Sequence, residues 1–94
     1  MNLSTTEKLF PLGQIIITAR AYEHLERADI AEAMGRHARG DWGDLKPADR
    51  EQNNLAVREG GALVSAYSDR QDRKFFIITE ADRSVTTVLL TGDY

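Results

Sequence analysis

Between Thr79 and Thr87 the chain reads TEADRSVTT, which places Glu80, Asp82, Arg83, Ser84, Thr86 and Thr87 close together. An acid, an arginine and hydroxyls around an imidazole are what a metal-independent ribonuclease uses: base, transition-state cation and general acid. The set that would serve is His37, Glu80, Arg83 and Thr87. The same segment also reads as a tight turn. Asp82 and Ser84 would then bond their own backbone, and Glu80 and Arg83 would form a weak surface pair. The turn reading is preferred.

A second unusual stretch is GDWGD, Gly40 to Asp44, which contains the only tryptophan. Asp41 and Asp44 could hold a cation, and Trp42 could anchor a partner. Hard cations take six or more oxygens, and two aspartates supply too few. GDWGD is therefore expected to be a corner: Gly40 ends a helix, Trp42 plugs the edge of the core, and Asp44 opens the next turn. The two histidines, His24 and His37, lie thirteen residues apart and show no zinc spacing. His24 reads as a surface or cap residue, and His37, beside an apolar stripe, as a satisfied buried imidazole. Arg50, Asn53 and Asn54 lie on a helix poor in apolar residues. They are either a recognition face or a solvated one, and the solvated reading is preferred. The glycines never reach a phosphate-cradling spacing. No metal ligand set and no cofactor is expected.

Several elements must position these groups. QIIIT, over 14–18, is β-branched and reads as a strand led in by Pro11 and Gly13. Thr18 can cap the helical stretch 19–39, which divides in two because Asp29 and Glu32 have capping-box spacing. Ile30, Ala33, Met34 and either His37 or Ala38 then share one face. A further helix over 47–59 has Pro47 in its first turn and stops at Gly60-Gly61. ALVSAYSD, KFFIITE and SVTTVLLT are strands joined by charged turns, and they predict an antiparallel meander over 62–91. The fold class is α+β: helices packed on a small, mainly antiparallel sheet of about four strands, in the order β-α-α-β-β-β. Its expected core holds Ile15, Ile17, Tyr22, Leu25, Ile30, Met34, Trp42, Leu55, Leu63, Phe76, Ile78, Val88 and Leu90. Neither face of the last two strands is cleanly polar, so the second face should be partly covered, by a partner or by a second copy.

Bulk properties restrict the function classes. The 94 residues suit one domain, 1–94, with residues 1–8 polar and frayed. The net charge of -3, from 12 basic and 15 acidic residues, argues against a duplex-DNA binder, which needs a clustered basic excess. There is no cysteine, which excludes disulfides and thiolate metal sites. The start has no signal-peptide pattern, and no apolar run spans a membrane, so a cytoplasmic protein is expected.

FPLGQI, RHARGDWGD, LVSAY and ITEADRSVTTVLL with the terminal Tyr94 together resemble a family of bacterial proteins of roughly this length. Its members are described as plasmid-related or as a short type I restriction-modification subunit. The resemblance runs from about Phe10 to Tyr94 and implies the company of plasmids, phages and integrated elements. It carries no catalytic residue. Element order alone is similar to the barnase and RelE-type toxins. Those are usually basic, and this chain is not.

The function expected is that of a small non-enzymatic binding protein. It would be a mobile-element accessory acting on a host defence complex as an anti-CRISPR-like or anti-restriction factor. The metal-independent ribonuclease is the alternative. The expected docking residues are Tyr67, Asp69, Asp72, Phe75, Glu80, Asp82 and Arg83 at the sheet ends. Asp44, Asp49 and Glu51 form a second, acidic patch suited to a basic groove on the partner.

Overall fold

The β-branched run Gln14–Ile17 forms β1, and Thr18 then turns the chain into α1, Ala19–His24. Thr18 has extended backbone and its hydroxyl accepts the Ala21 N–H at 3.2 Å, as an N-cap should. The computed structural model describes residues 8–93. The start expected to fray falls largely on residues 1–7, and the resemblance at Tyr94 on the last residue. Both lie outside the described residues.

Leu25 and Glu26 break the helical stretch, and α2 runs over Arg27–Ala38. The start near Asp29 is corrected: α2 begins two residues earlier, with Glu26 as an N-cap that makes no side-chain bond. Asp29 is occupied elsewhere. Its carboxylate accepts from the Arg70 backbone N–H and from the guanidinium at 3.0 and 2.9 Å, which ties a distant turn to this helix. The third helix, α3, spans Pro47–Glu59 with its proline in the first turn.

Strands β2 (Leu63–Ser68), β3 (Lys74–Thr79) and β4 (Val85–Leu90) make the expected meander, and a short 3-10 turn follows over Thr91–Asp93. The sheet order is β1-β4-β3-β2, with β1 parallel to β4 and the other pairs antiparallel. The molecule is thus an α+β domain of three helices and a four-stranded mixed sheet.

Register assigns the faces. Ile17, Val88, Ile77 and Ser65 form one cross-strand row, and Leu90, Phe75 and Tyr67 the next. Both rows face α1 and α2, where Ala21, Leu25, Ile30 and Ala33 close the main core. The expected inward Phe76 and Ile78 are therefore corrected to the opposite face, where both are half-buried. Ile15, Tyr22 and Leu55, also expected in the core, are exposed. Ile15 sits on an edge strand, Tyr22 lies under the Arg27 guanidinium, and α3 turns Asn53 and Ala56 inward instead of Leu55. A second cluster of Phe10, Trp42, Ala56 and Leu63 fills the space under α3.

Candidate functional site

His37 is the group that decides what chemistry is available. Its place on the inner face of α2 brings it over β2 and β3, with no exposed surface. Nδ1 lies 2.5 Å from Ser65 Oγ, and Nε2 lies 2.9 Å from Thr79 Oγ1. Thr79 Oγ1 lies 2.7 Å from Thr86 Oγ1, and the Thr86 hydroxyl donates to the Leu12 carbonyl at 2.6 Å.

The end of this chain fixes the protons back as far as His37 Nε2. A carbonyl can only accept, so Thr86 donates to Leu12 and must accept from Thr79. Thr79 has then used its proton and must accept from His37 Nε2–H. An Nε2–H is common to the neutral ring and the imidazolium, so burial decides Nδ1: it favours the neutral ring, whose Nδ1 accepts the Ser65 hydroxyl, and both nitrogens are then satisfied. Burial pushes its pKa down to about 4, since an imidazolium there would lose its hydration. Phe10 and Trp42 pack against the ring edge-on, with centroids at 5.3 and 5.7 Å.

Arg83 is equally committed. It sits at the tip of the β3–β4 hairpin in a left-handed conformation, φ 64°. Its guanidinium donates to the carbonyls of Gly61 (2.7 Å), Ala56 (3.0 Å), Glu80 and Ala81 (both 3.1 Å). It stands over the Phe10 ring at 5.7 Å. Ala56 lies in the last turn of α3, where a cation suits the negative helix end. Arg83 thus clamps the hairpin to α3.

The set His37, Glu80, Arg83 and Thr87 is therefore not assembled as a site. Thr79 faces His37 on the helix side of the sheet, whereas Glu80 is exposed. Thr87 pairs with Ile16 and Ile78 on the opposite face from Thr86. Asp82 serves the turn: its carboxylate accepts the Ser84 N–H at 3.0 Å and the Ser84 hydroxyl at 2.6 Å, which lowers its pKa.

GDWGD is a corner. Trp42 is 2% exposed, is stacked on Phe10, and donates its indole N–H to Asn54 Oδ1 at 2.9 Å. Asp41 accepts from Arg36 at 2.8 and 3.2 Å, and this ion pair lowers the Asp41 pKa. Gly43 has φ 78° and forms a bridge with Ala66, and a Cβ there would lie 1.9 Å from the Ala66 carbonyl oxygen. Asp44 is exposed and makes a loose pair with Lys74 at 3.7 Å.

The expected docking residues divide. Tyr67 and Phe75 are 2% and 1% exposed, so neither can anchor a partner. The Tyr67 hydroxyl donates to the Asp41 carbonyl at 2.7 Å, and burial pushes its pKa up to about 12. The Asp69 side chain is 3% exposed and accepts the backbone N–H groups of Gln71 and Arg73. Arg83 is consumed in the clamp. Asp72, Glu80, Asp82, Asp44, Asp49 and Glu51 remain on the surface.

Of Arg50, Asn53 and Asn54, the first and last are exposed, as a solvated face would be, but all three side chains also fasten the fold. Asn53 is buried; its amide donates to the Val64 carbonyl at 2.7 Å and accepts the Val64 N–H at 3.3 Å. Arg50 donates to the carbonyls of Gly43 and Leu45. Sequence reasoning missed these fasteners, because an asparagine that satisfies a strand edge has no local spacing.

The surface that sequence reasoning did not find lies beside α2. Two mainly apolar recesses, of about 250 and 440 Å³, share Ala31 and Met34. The smaller is walled by Ile15 and Ile17 of β1 and by Tyr22 and Ile30. The larger is rimmed by Lys8 and Arg39. Among the described residues no cluster of three or more His, Asp or Glu could hold a metal ion, and no helix is long and apolar enough to cross a membrane. Comparison with protein-family models, with curated proteins and with solved structures finds no match.

Proposed function

We propose that this chain is a non-enzymatic binding protein, a mobile-element accessory that acts by protein–protein contact on a host defence complex. One observation carries the reading: the imidazole and the guanidinium best suited to catalysis are both spent on holding the fold. His37 has no exposed surface, and its two nitrogens bond Ser65 and Thr79. What the surface offers instead is an apolar groove beside α2 and scattered carboxylates, the ingredients of a partner contact with a charged rim. The mobile-element setting rests on the resemblance carried by FPLGQI, RHARGDWGD and ITEADRSVTTVLL.

The test is capture of partners from a lysate of a plasmid-bearing bacterium, with Met34→Glu and with Asp44→Lys combined with Glu80→Lys as variants. A defence-complex subunit should be retained by the native protein and lost with one or both variants. Retention that both variants leave unchanged would remove the reading. Digestion of total RNA without metal, abolished by Glu80→Ala, would replace it with a ribonuclease.

A further inference from the structure

The two edges of the sheet are treated differently. The outer edge of β2 is closed: Asn53 satisfies the N–H and C=O of Val64, Asp44 N–H donates to the Ala66 carbonyl at 2.8 Å, and Ala66 N–H donates to the Trp42 carbonyl at 3.2 Å. Proteins usually guard such edges, because an open ladder recruits other strands. The outer edge of β1 has no such cover among the described residues.

The groups on that edge can be identified. Gln14 N–H donates to the Ser84 carbonyl at 2.9 Å, and Thr18 N–H to the Val88 carbonyl at 3.0 Å. Strand alternation therefore turns Gln14, Ile16 and Thr18 toward β4 and leaves the N–H and C=O of Ile15 and Ile17 pointing outward. Ile15 and Ile16, on opposite faces, are 43% and 42% exposed, and neighbouring Tyr22 is 54% exposed. No charge lies on Gln14–Ile17. A strand apolar on both faces would bury Ile15 and Ile16 together, and the Ile15–Ile17 run of β1 is itself such a strand.

We infer that the occupant is β1 of a second copy, paired antiparallel about a two-fold axis at Ile16. Outward groups at 15 and 17 are symmetric about 16, so Ile15 of each copy exchanges two hydrogen bonds with Ile17 of the other. Four backbone bonds form in all. Ile16 faces its own counterpart as a non-hydrogen-bonded pair. The second copy's Ile15 and Ile17 enter the 250 Å³ recess beside Tyr22, Ile30 and Met34. The contact is isologous and joins two four-stranded sheets into one of eight. An edge of four residues is small against the ~1,200 Å² that a stable complex buries, so the dimer is concentration-dependent. This inference goes beyond the proposed function and does not depend on it.

The chain has no cysteine, which permits a register-specific test. Ile16→Cys would place two thiols across a pair whose Cα atoms are about 4.5 Å apart, within disulfide range. Gln14→Cys would place them four residues out of register, ~13 Å apart, and beyond bridging. Light scattering from micromolar to millimolar protein should show a monomer–dimer equilibrium. Ile16→Cys should cross-link at least tenfold faster than Gln14→Cys. Ile16→Lys, with circular dichroism unchanged, should weaken the dimer at least tenfold. A native protein that is monomeric throughout, or equal cross-linking of the two cysteine variants, would overturn the inference. Should Ile16→Lys fail to fold, the cysteine pair still decides. A monomer that captures a partner removes the dimer alone, and a dimer that captures nothing removes the proposed function alone.

Discussion

Thr79 Oγ1 lies 2.9 Å from His37 Nε2 and 2.7 Å from Thr86 Oγ1, so one buried hydroxyl joins a helix imidazole to the next strand. The Leu12 carbonyl at the far end sets the direction of the protons from Thr86 back to His37 Nε2. A histidine often associated with proton transfer is locked here into one neutral tautomer. Its protonation is opposed by the fold.

That opposition gives a pH dependence. Burial holds His37 at about 4, against 6.5 in the unfolded chain, so between these values the unfolded state binds more protons. The His37 contribution is complete above pH 6.5 and is lost as pH falls toward 4. The full span corresponds to ~3 kcal/mol. Asp29, Asp41, Asp82 and Asp93, whose values are lowered from 3.8, keep their contributions above the usual carboxylate range and lose them as pH falls through it, so they overlap only the acid end of this window. Urea titrations of the native protein and of His37→Gln should differ in slope between pH 6.5 and 4. Equal slopes would show that His37 is accessible.

Arg83 combines a left-handed backbone with a four-carbonyl clamp, and two substitutions separate these. Arg83→Ala loses the clamp and keeps the strained φ, which costs an L-residue ~1–2 kcal/mol. Arg83→Gly loses the clamp but releases that strain. Thermal denaturation should rank native above Arg83→Gly and Arg83→Gly above Arg83→Ala, with a loss of ~2–3 kcal/mol for alanine. Equal loss in both variants would mean that the backbone conformation is unstrained.

Gly43→Ala should be among the most damaging single changes. The added Cβ would lie 1.9 Å from the Ala66 carbonyl oxygen, at a φ of 78° that already disfavours alanine. The corner would have to leave β2, at a cost of at least ~3 kcal/mol. Gly60→Ala meets no atom within 4 Å and serves as the comparison, since it too has a positive φ (100°). Gly43→Ala should have the lower denaturant midpoint of the two, since it adds a backbone clash to the strain that both share.

Asn53→Ala should reopen the edge of β2. Val64 would lose both side-chain partners, for ~1–3 kcal/mol, and the freed ladder invites pairing with other chains. Faster aggregation on mild heating, beyond that of an equally destabilised Leu63→Val, checks this.

Much of the architecture was legible in the residues. QIII, the meander with its charged turns, the Thr18 cap, Gly40 at the end of α2 and Trp42 in a corner follow from local chemistry. The inward face of β3 did not, because Phe75-Phe76 and Ile77-Ile78 offer the same apolar choice on both sides. The left-handed residues at the hairpin tips are Asp72 and Arg83, where glycine would have announced the turn. The bonds of Asn53, Asn54 and Arg50 were not legible because their partners, Val64, Trp42 and the Gly43 and Leu45 carbonyls, are set by tertiary placement. The same holds for Arg83: a cation beside an acid and hydroxyls looks like a reagent until four carbonyls surround it.

Whether His37 is architecture or reagent is read most directly by nitrogen-15 NMR of its imidazole across a pH titration. The expected result is a single neutral tautomer protonated on Nε2, with no titration until the pH approaches about 4. An imidazole that titrates near 6.5, or that exchanges freely between its tautomers, would contradict the enclosed network and restore His37 as a candidate catalyst.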